Sequence, residues 1–348
     1  MIYGANGYTG ELIAREAVSR GMKPILAGRT AAKVEPLAAS LGLQARVFDL
    51  RNAAATARSV EGMGVVLHCA GPFSATAAPM MTACLVGHAH YLDITGEISV
   101  FELAQTLDAD ARAANIVICP GVGFDVIPTD CVAAVLQANL PDATHLALGF
   151  DSRSGLSPGT AKTSLEGLAQ GGKVRQEGRI ITVPLAYKTR RIDFGDGEKL
   201  AMTIPWGDIS TAYATTGIPN IEVYIPRSPA MVMRARRANR FKWLFGTSVV
   251  RSFIKRRIEK RVEGPSAAKR DAQPSYVWGE VTNARGDKRT ARIKTANGYS
   301  LTVTGALAVV EYLLAHEVPG GTCTPAKLIG PDLVTRLPGS GPIQIGMS

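Results

Sequence analysis

The sequence predicts an α/β protein, with a doubly wound parallel sheet at the front of the chain and a second, α+β domain behind it. Three observations carry that class. A glycine-spaced turn follows directly on the first apolar residues, short apolar runs then alternate with Ala-rich helical stretches up to about residue 128, and the alternation stops beyond residue 130. With 348 residues, 46% of them apolar and 20% charged, the chain is long enough for two packed domains and has no disorder signature.

The candidate strands of the first region are Met1 to Tyr3, Pro24 to Ala27, Ala45 to Asp49, Val65 to Cys69, Tyr91 to Ile94 and Ile116 to Cys119. Between them, Glu11 to Arg20, Ala32 to Leu41, Ala53 to Val60, Ala78 to Val86 and Val100 to Ala114 repeat apolar residues at three and four, as helices do. This pattern builds a Rossmann-type nucleotide-binding domain over residues 1–128. Its first turn, "MIYGANGYTG", sets Gly4, Gly7 and Gly10 between a strand and a helix. A pyrophosphate needs backbone without side chains in its way and a helix whose free NH groups point at it. Gly4 and Gly7 provide the turn and the close approach, Gly10 lets the helix lie on the sheet, and Thr9 adds a hydroxyl. Only three residues precede Gly4, against about five or six in an ordinary strand, so the anchoring strand looks clipped.

About twenty residues further on, an Asp or Glu would bind the ribose 2′-hydroxyl of NAD. Here "AGRTAAK" has Arg29, Thr30 and Lys33, with no carboxylate until Glu35. A guanidinium suits a 2′-phosphate, so NADP is expected ahead of NAD. Asp49, in "VFDL", either approaches the adenine or caps the next helix. The turns "CAGPF" (Cys69 to Phe73), "DITGE" (Asp93 to Glu97) and "GVGFD" (Gly121 to Asp125) follow later strands, at the sheet edge where ligands collect. Gly71, Pro72, Phe73 and Glu97 are thus candidate walls for the nicotinamide.

Together, "YGANGYTG", "LAGRT", "AGPF", "ACLVGHAHYLDITGE" and "GVGFDVIPTD" resemble the saccharopine dehydrogenase-like family, which includes saccharopine reductases and trans-acting enoyl reductases. "TPAKLIG", Thr324 to Gly330, resembles the enoyl reductase branch. The resemblance implies a Rossmann domain followed by a substrate domain that usually makes a dimer contact. It assigns Gly4, Asn6, Gly7, Tyr8, Thr9 and Gly10 to the pyrophosphate, Arg29 to the ribose end, and Gly71, Pro72 and Phe73 to the nicotinamide end.

Beyond residue 130 the candidate strands are His145 to Phe150, Arg179 to Pro184, Leu200 to Ile204, Ile221 to Ile225, Tyr276 to Thr282 and Ala291 to Thr295. Consecutive strands predict an antiparallel sheet in an α+β substrate domain over 129–300. Residues 301–348 are expected to form a C-terminal helix and tail, with Leu301 to His316 returning to the first domain.

Other chemistries find little support. No Tyr precedes a Lys by four, so the YxxxK pair of short-chain dehydrogenases is absent. "GLSPG" (Gly155 to Gly159) matches a nucleophile elbow in form, but Pro158 has no NH for an oxyanion hole. His88 and His90 are the only close histidine pair and no HExxH occurs, so no metal is expected. Five scattered cysteines without CxxC fit a reducing cytoplasm. The apolar runs Ile116 to Cys119 and Ala306 to Val310 fall far short of the ~20 residues of a membrane span. Candidate proton donors are Asp93, Glu97, Asp125, Tyr213 and the threonines around Thr160 and Thr211, though each carboxylate also suits a cap or turn.

The net charge of +10 comes from one segment: residues 227 to 270 hold 14 Lys and Arg against Glu259 and Glu263, a net of +12. Within the basic amphipathic stretch 230–262, Val250, Phe253, Ile254 and Ile258 share a helical face, with Arg251, Lys255, Arg256, Lys260 and Arg261 around the other. Trp243, Phe241 and Phe245 precede that face. Such a stripe suits an anionic lipid surface, an acidic partner, or a helix buried on one side. Nucleic acid is not expected, since no recognised module accompanies the charge. The expected function is an NADP-dependent reductase acting on a hydrophobic or acyl-linked substrate, cytoplasmic or peripheral at a membrane, and a homodimer. The alternatives are a saccharopine-type imine reductase, with Arg153, Arg190 and Arg191 for its diacid substrate, and a non-catalytic cofactor-binding or lipid-surface protein.

Overall fold

The computed structural model describes residues 1–152, 171–241 and 273–347. Arg153, "GLSPG", Thr160 and most of the basic stretch 230–262 lie outside them. The chain divides into two compact units, Met1–Ile127 with Tyr299–Gly330, and Pro128–Gly298 with Pro331–Ser348.

The first unit begins β1 (Ile2–Tyr3), α1 (Tyr8–Ser19), β2 (Leu26–Gly28), α2 (Ala31–Ser40), β3 (Ala45–Val47) and α3 (Ala53–Val60). It continues with β4 (Val65–His68), α4 (Phe73–Val86), β5 (His90–Asp93), α5 (Ile98–Thr106), α6 (Asp108–Ala113) and β6 (Val117–Cys119). The strands are parallel in the order β6-β5-β4-β1-β2-β3, so the direction of winding reverses at β1. Parallel strands are covered on both faces and read as unbroken apolar runs. Accordingly Leu26, Val66, Leu67, Leu92 and Ile118 are all buried, at 1% exposure or less. Although β1 has two residues, it is central: Ile2 pairs with Leu26 and Leu67, and Tyr3 with Ala27 and His68. The expected helix Val100 to Ala114 is two helices, because backbone rotation at Leu107 (φ −96°, ψ 7°) ends one and opens the next.

The second unit contains α7 (Ile127–Asn139), β7 (Ala143–Asp151), β8 (Gly172–Gln176), β9 (Arg179–Val183), β10 (Thr189–Asp193) and β11 (Glu198–Thr203). There follow α8 (Asp208–Thr216), β12 (Asn220–Pro226), α9 (Pro229–Ala238), β13 (Ser275–Asn283) and β14 (Lys288–Thr295). The sheet is mixed rather than antiparallel, because β12 runs parallel to β7, its central neighbour. The chain passes through β8 to β11 and α8 before β12 enters the sheet between β11, to which it is antiparallel, and β7, to which it is parallel.

The chain then returns to the first unit through α10 (Gly298–Ala315) and β15 (Gly321–Thr322), which pairs with β6 as a seventh parallel strand. The 18 residues of α10 are long and apolar enough to cross a membrane by length and composition alone. In this fold Leu301, Ala306 and Val309 are fully buried. Glu311 meets Arg20, the C-cap of α1, at 3.2 Å, and Thr302 Oγ1 accepts from Phe124 N at 3.0 Å. After the short helices α11 (Pro325–Ile329) and α12 (Leu333–Arg336), the last strand, β16 (Gln344–Met347), pairs with β14. Residues 301–348 therefore divide between the two units at Gly330.

Candidate functional site

The loop between β1 and α1 is set by two glycines. Gly4 has φ +80°, and a Cβ there would lie 2.7 Å from Ala70 N in the turn after β4. At Gly10 an added Cβ would lie 2.4 Å from the carbonyl oxygen of Gly4. The loop, the start of α1 and the β4 turn thus pack at backbone distance, which glycine alone permits at Gly4 and Gly10. Gly7 caps the 12-residue α1 without a side-chain acceptor, and Tyr8 and Thr9 open its first turn. Tyr8 also packs edge-on to Tyr299, centroids 5.2 Å apart. Asn6 is exposed on the loop. Backbone donors and the positive end of a helix dipole fit the charge and size of a pyrophosphate.

Helix α4 is closed to such a ligand. Glu97 Oε1 accepts from Phe73 N at 2.9 Å and Oε2 from Ser74 N at 2.7 Å, so this carboxylate caps the "AGPF" turn. Glu97 is a positioning residue on that geometry. The same turn is braced by His68, which is fully buried at the end of β4. Its Nε2 lies 3.0 Å from Thr76 Oγ1, whose hydroxyl donates to Ala70 O at 2.7 Å. With the threonine proton so committed, the imidazole donates from Nε2. Burial lowers its pKa from 6.5 to about 3, so it stays neutral, with Phe73 edge-on at 5.3 Å. Gly71 and Pro72 form the tip of this turn ahead of α4. Sequence alone does not single out His68; its only signal there is a polar residue ending an otherwise apolar strand.

Asp93 ties two neighbouring turns together. Its Oδ1 accepts from Thr95 N at 3.0 Å and Gly121 N at 2.8 Å, and its Oδ2 from Tyr91 Oη at 2.7 Å. It is fully buried, which suits a structural tie rather than exchange of protons with a ligand. Desolvation raises its pKa from 3.8 to about 6 against those donors. The folded carboxyl therefore holds its proton to higher pH than the unfolded one, and its ionisation opposes folding between pH 4 and 6. We expect the stability advantage of wild type over Asp93→Asn to shrink by about 3 kcal/mol from pH 4 to pH 7. Urea unfolding of both proteins at the two pH values measures this, and a pH-independent difference contradicts it.

Asp125 is half-buried, and its Oδ2 lies 2.8 Å from where a Cβ on Gly96 would stand, so the carboxyl overlies the "DITGE" turn. Burial pushes its pKa up from 3.8 to about 7. Tyr213 belongs to the second unit, on α8, where the Arg175 guanidinium stacks 4.0 Å from its ring centroid. Thr211, on the same helix, is buried at 3% exposure.

Arg29 is exposed after β2 and pairs with no carboxylate among the described residues. Thr30 caps α2 without a side-chain hydrogen bond. Asp49 does not cap α3. Asn52 does, accepting from Ala55 N at 3.0 Å, because it sits three residues before that amide as capping requires. Asp49 is instead gripped by Arg51, through Nε at 2.9 Å, Nη2 at 2.6 Å and the backbone N at 3.0 Å. Arg51 holds its carboxyl below the usual range, with Arg29 adding to the effect. In the second unit, Arg190 is held by Glu280 at 3.0 Å and Arg191 by Glu198. Among the described residues no group of three His, Cys, Asp or Glu gathers as metal ligands.

Residues 1–119 match the family model for the saccharopine dehydrogenase NADP-binding domain. A trans-acting enoyl reductase of Mycobacterium tuberculosis is 29% identical over 209 residues, 55% of this chain and 49% of the relative. A human saccharopine dehydrogenase-like oxidoreductase is 29% identical over 204 residues, 51% of this chain and 47% of that protein. The chain thus spans about half the length of the curated relatives it matches. In fold it is similar to apo saccharopine dehydrogenase (L-Glu forming) from Saccharomyces cerevisiae, with TM-score 0.67 and 11% identity over 100% of this chain and 99% of that one. The homospermidine synthase of Legionella pneumophila, solved with NAD, gives TM-score 0.66 and 10% identity over 100% of this chain and 90% of that one. Residues 1–119 thus match the saccharopine dehydrogenase NADP-binding domain, and the whole chain is similar in fold to saccharopine dehydrogenase.

Proposed function

We propose that the chain is an NADP-dependent reductase that delivers hydride to a hydrophobic or acyl-linked substrate, with Asp125 as the proton donor. The observation that carries the cofactor choice is Arg29, an exposed guanidinium that makes no ion pair among the described residues, at the position where an acid would read the 2′-hydroxyl of NAD. Arg51, already oriented by Asp49, supplies a second cation on the neighbouring strand end. Bound NADPH would supply the hydride, and the protein's part is to hold donor and acceptor face to face.

Gly4, Gly7 and Gly10 let the loop and the start of α1, where the pyrophosphate would lie, pack at backbone distance, while Glu97 and His68 fix the turn carrying Gly71, Pro72 and Phe73. A carboxyl titrating near neutrality keeps a proton to give at physiological pH. The acyl-linked substrate rests on the relatives named trans-acting enoyl reductases. Of the arginines a diacid would need, Arg190 pairs with Glu280 and Arg191 with Glu198, and Arg153 lies outside the described residues.

Titration of NADPH and NADH by intrinsic fluorescence tests the cofactor choice. Wild type is expected to prefer NADPH, and Arg29→Ala to weaken NADPH by about 10-fold or more while NADH changes less than about two-fold, as loss of a charge-assisted contact to one phosphate requires. Equal affinity of wild type for the two nucleotides defeats the reading.

A further inference from the structure

Outside the nucleotide site, α9 presents a surface of unusual composition on the second unit. The helix is pinned from beneath by Val232, 5% exposed, and by Asn239, whose Oδ1 accepts from Leu185 N at 2.8 Å while its Nδ2 donates to Leu185 O at 3.1 Å. Arg236 reaches Ala186 O at 3.4 Å, so the turn around residues 185–189 and the helix are held together. On the outward side stand Met231 at 47% exposure and Met233 at 52%, with Tyr187 at 42% on the adjoining turn. Between them Arg234, Arg237 and Arg240 are exposed, and none of the three pairs with a carboxylate among the described residues. The helix itself, "PAMVMRARRA", has no acidic residue.

Each component of this surface asks for something different. Unneutralised guanidinium groups seek a polyanion, whereas flexible methionines and a tyrosine left in water seek an apolar layer directly beneath it. Duplex nucleic acid supplies the first without the second. The headgroup region of a bilayer with anionic lipids supplies both, phosphates at the level of the arginines and acyl chains just below. The following sequence keeps the same composition, with 14 Lys and Arg against two Glu in residues 227 to 270 and Phe241, Trp243 and Phe245 among them.

We propose that the α9 surface, through Met231, Met233, Tyr187, Arg234, Arg237 and Arg240, docks the second unit on anionic bilayers as a peripheral contact. The test is sedimentation of the full chain with vesicles of phosphatidylcholine alone or of phosphatidylcholine mixed with phosphatidylserine. The expected result is binding to the mixed vesicles only, reversed by high salt. Arg234→Glu with Arg237→Glu should weaken it at least about 10-fold, since each arginine near such a surface contributes several-fold.

A second variant, Met231→Ser with Met233→Ser, should weaken vesicle binding several-fold while leaving retention on duplex DNA unchanged, which separates a lipid surface from simple attraction between charges. Both variants are compared with wild type at matched thermal midpoints. Equal binding to both vesicle types, vesicle binding that either variant leaves intact, or DNA binding as tight as vesicle binding would overturn the proposal. None of these outcomes depends on which nucleotide the first unit takes.

Discussion

Gly4→Ala is expected to abolish nucleotide binding and to destabilise the first unit by about 2 to 4 kcal/mol. Two costs combine. The backbone at Gly4 sits at φ +80°, where an L side chain is strained by about 1 kcal/mol or more. The new methyl would also stand 2.7 Å from Ala70 N and 2.9 Å from Ala70 Cα, which are backbone atoms and cannot rotate away. Relief requires moving the β4 turn, at the about 1 to 3 kcal/mol typical of overpacking. Because that turn leads into Gly71, Pro72 and Phe73, the movement also disturbs the start of α4. Chemical denaturation gives the stability change and fluorescence titration the binding. Gly21→Ala is the comparison: it shares the positive φ, +77°, but an added Cβ meets nothing within 4 Å, so only the strain component should appear. A Gly4→Ala protein that binds NADPH like wild type would show that the loop is not the phosphate cradle.

Asp125→Asn is expected to lower kcat by about 100-fold or more with the Kd for NADPH unchanged, the loss usual when a positioned proton donor is removed. An amide of the same shape keeps the packing over Gly96 but has no acidic proton. Since the protonated carboxyl is the working form and burial raises its pKa to about 7, wild-type kcat should fall as pH rises through neutrality. That limb should vanish in the variant. NADPH oxidation with a panel of enoyl thioesters measures both. A variant within about three-fold of wild type, or one that keeps the alkaline limb, removes Asp125 from the chemistry.

The first unit was the more legible part of the sequence because most of its parallel strands are buried on both faces and leave continuous apolar runs; each of the six expected runs overlaps a strand, the exposed edge strand β3 included. β1, though two residues long, works because both flanks are paired and water reaches neither face. The second unit was harder to read. β8, "GKVRQ", with its buried Arg175, and β10, "TRRID", carry charged residues that read as loop, while β12 pairs in parallel with β7 across the intervening β8 to β11, a pairing that no local pattern announces.

Within the site, the glycine spacing and Arg29 were visible since backbone clearance and charge are properties of residue type. The roles of Glu97, Asp93 and Asp49 were not, because each depends on which distant amide or guanidinium the fold delivers: Phe73 and Ser74 for Glu97, Gly121 for Asp93. Arg51 was hidden for the same reason, its bidentate grip on Asp49 being a matter of side-chain geometry two residues away.

The strand Gly321–Thr322 completes the parallel sheet from far down the chain. During synthesis the edge of β6 therefore stays bare while more than half of the protein is still being made. At about 5 to 20 residues per second, an open strand edge persists for tens of seconds on the ribosome. The nucleotide-binding unit is thus assembled late, and a nascent chain released before residue 330 presents an unpaired edge to its neighbours.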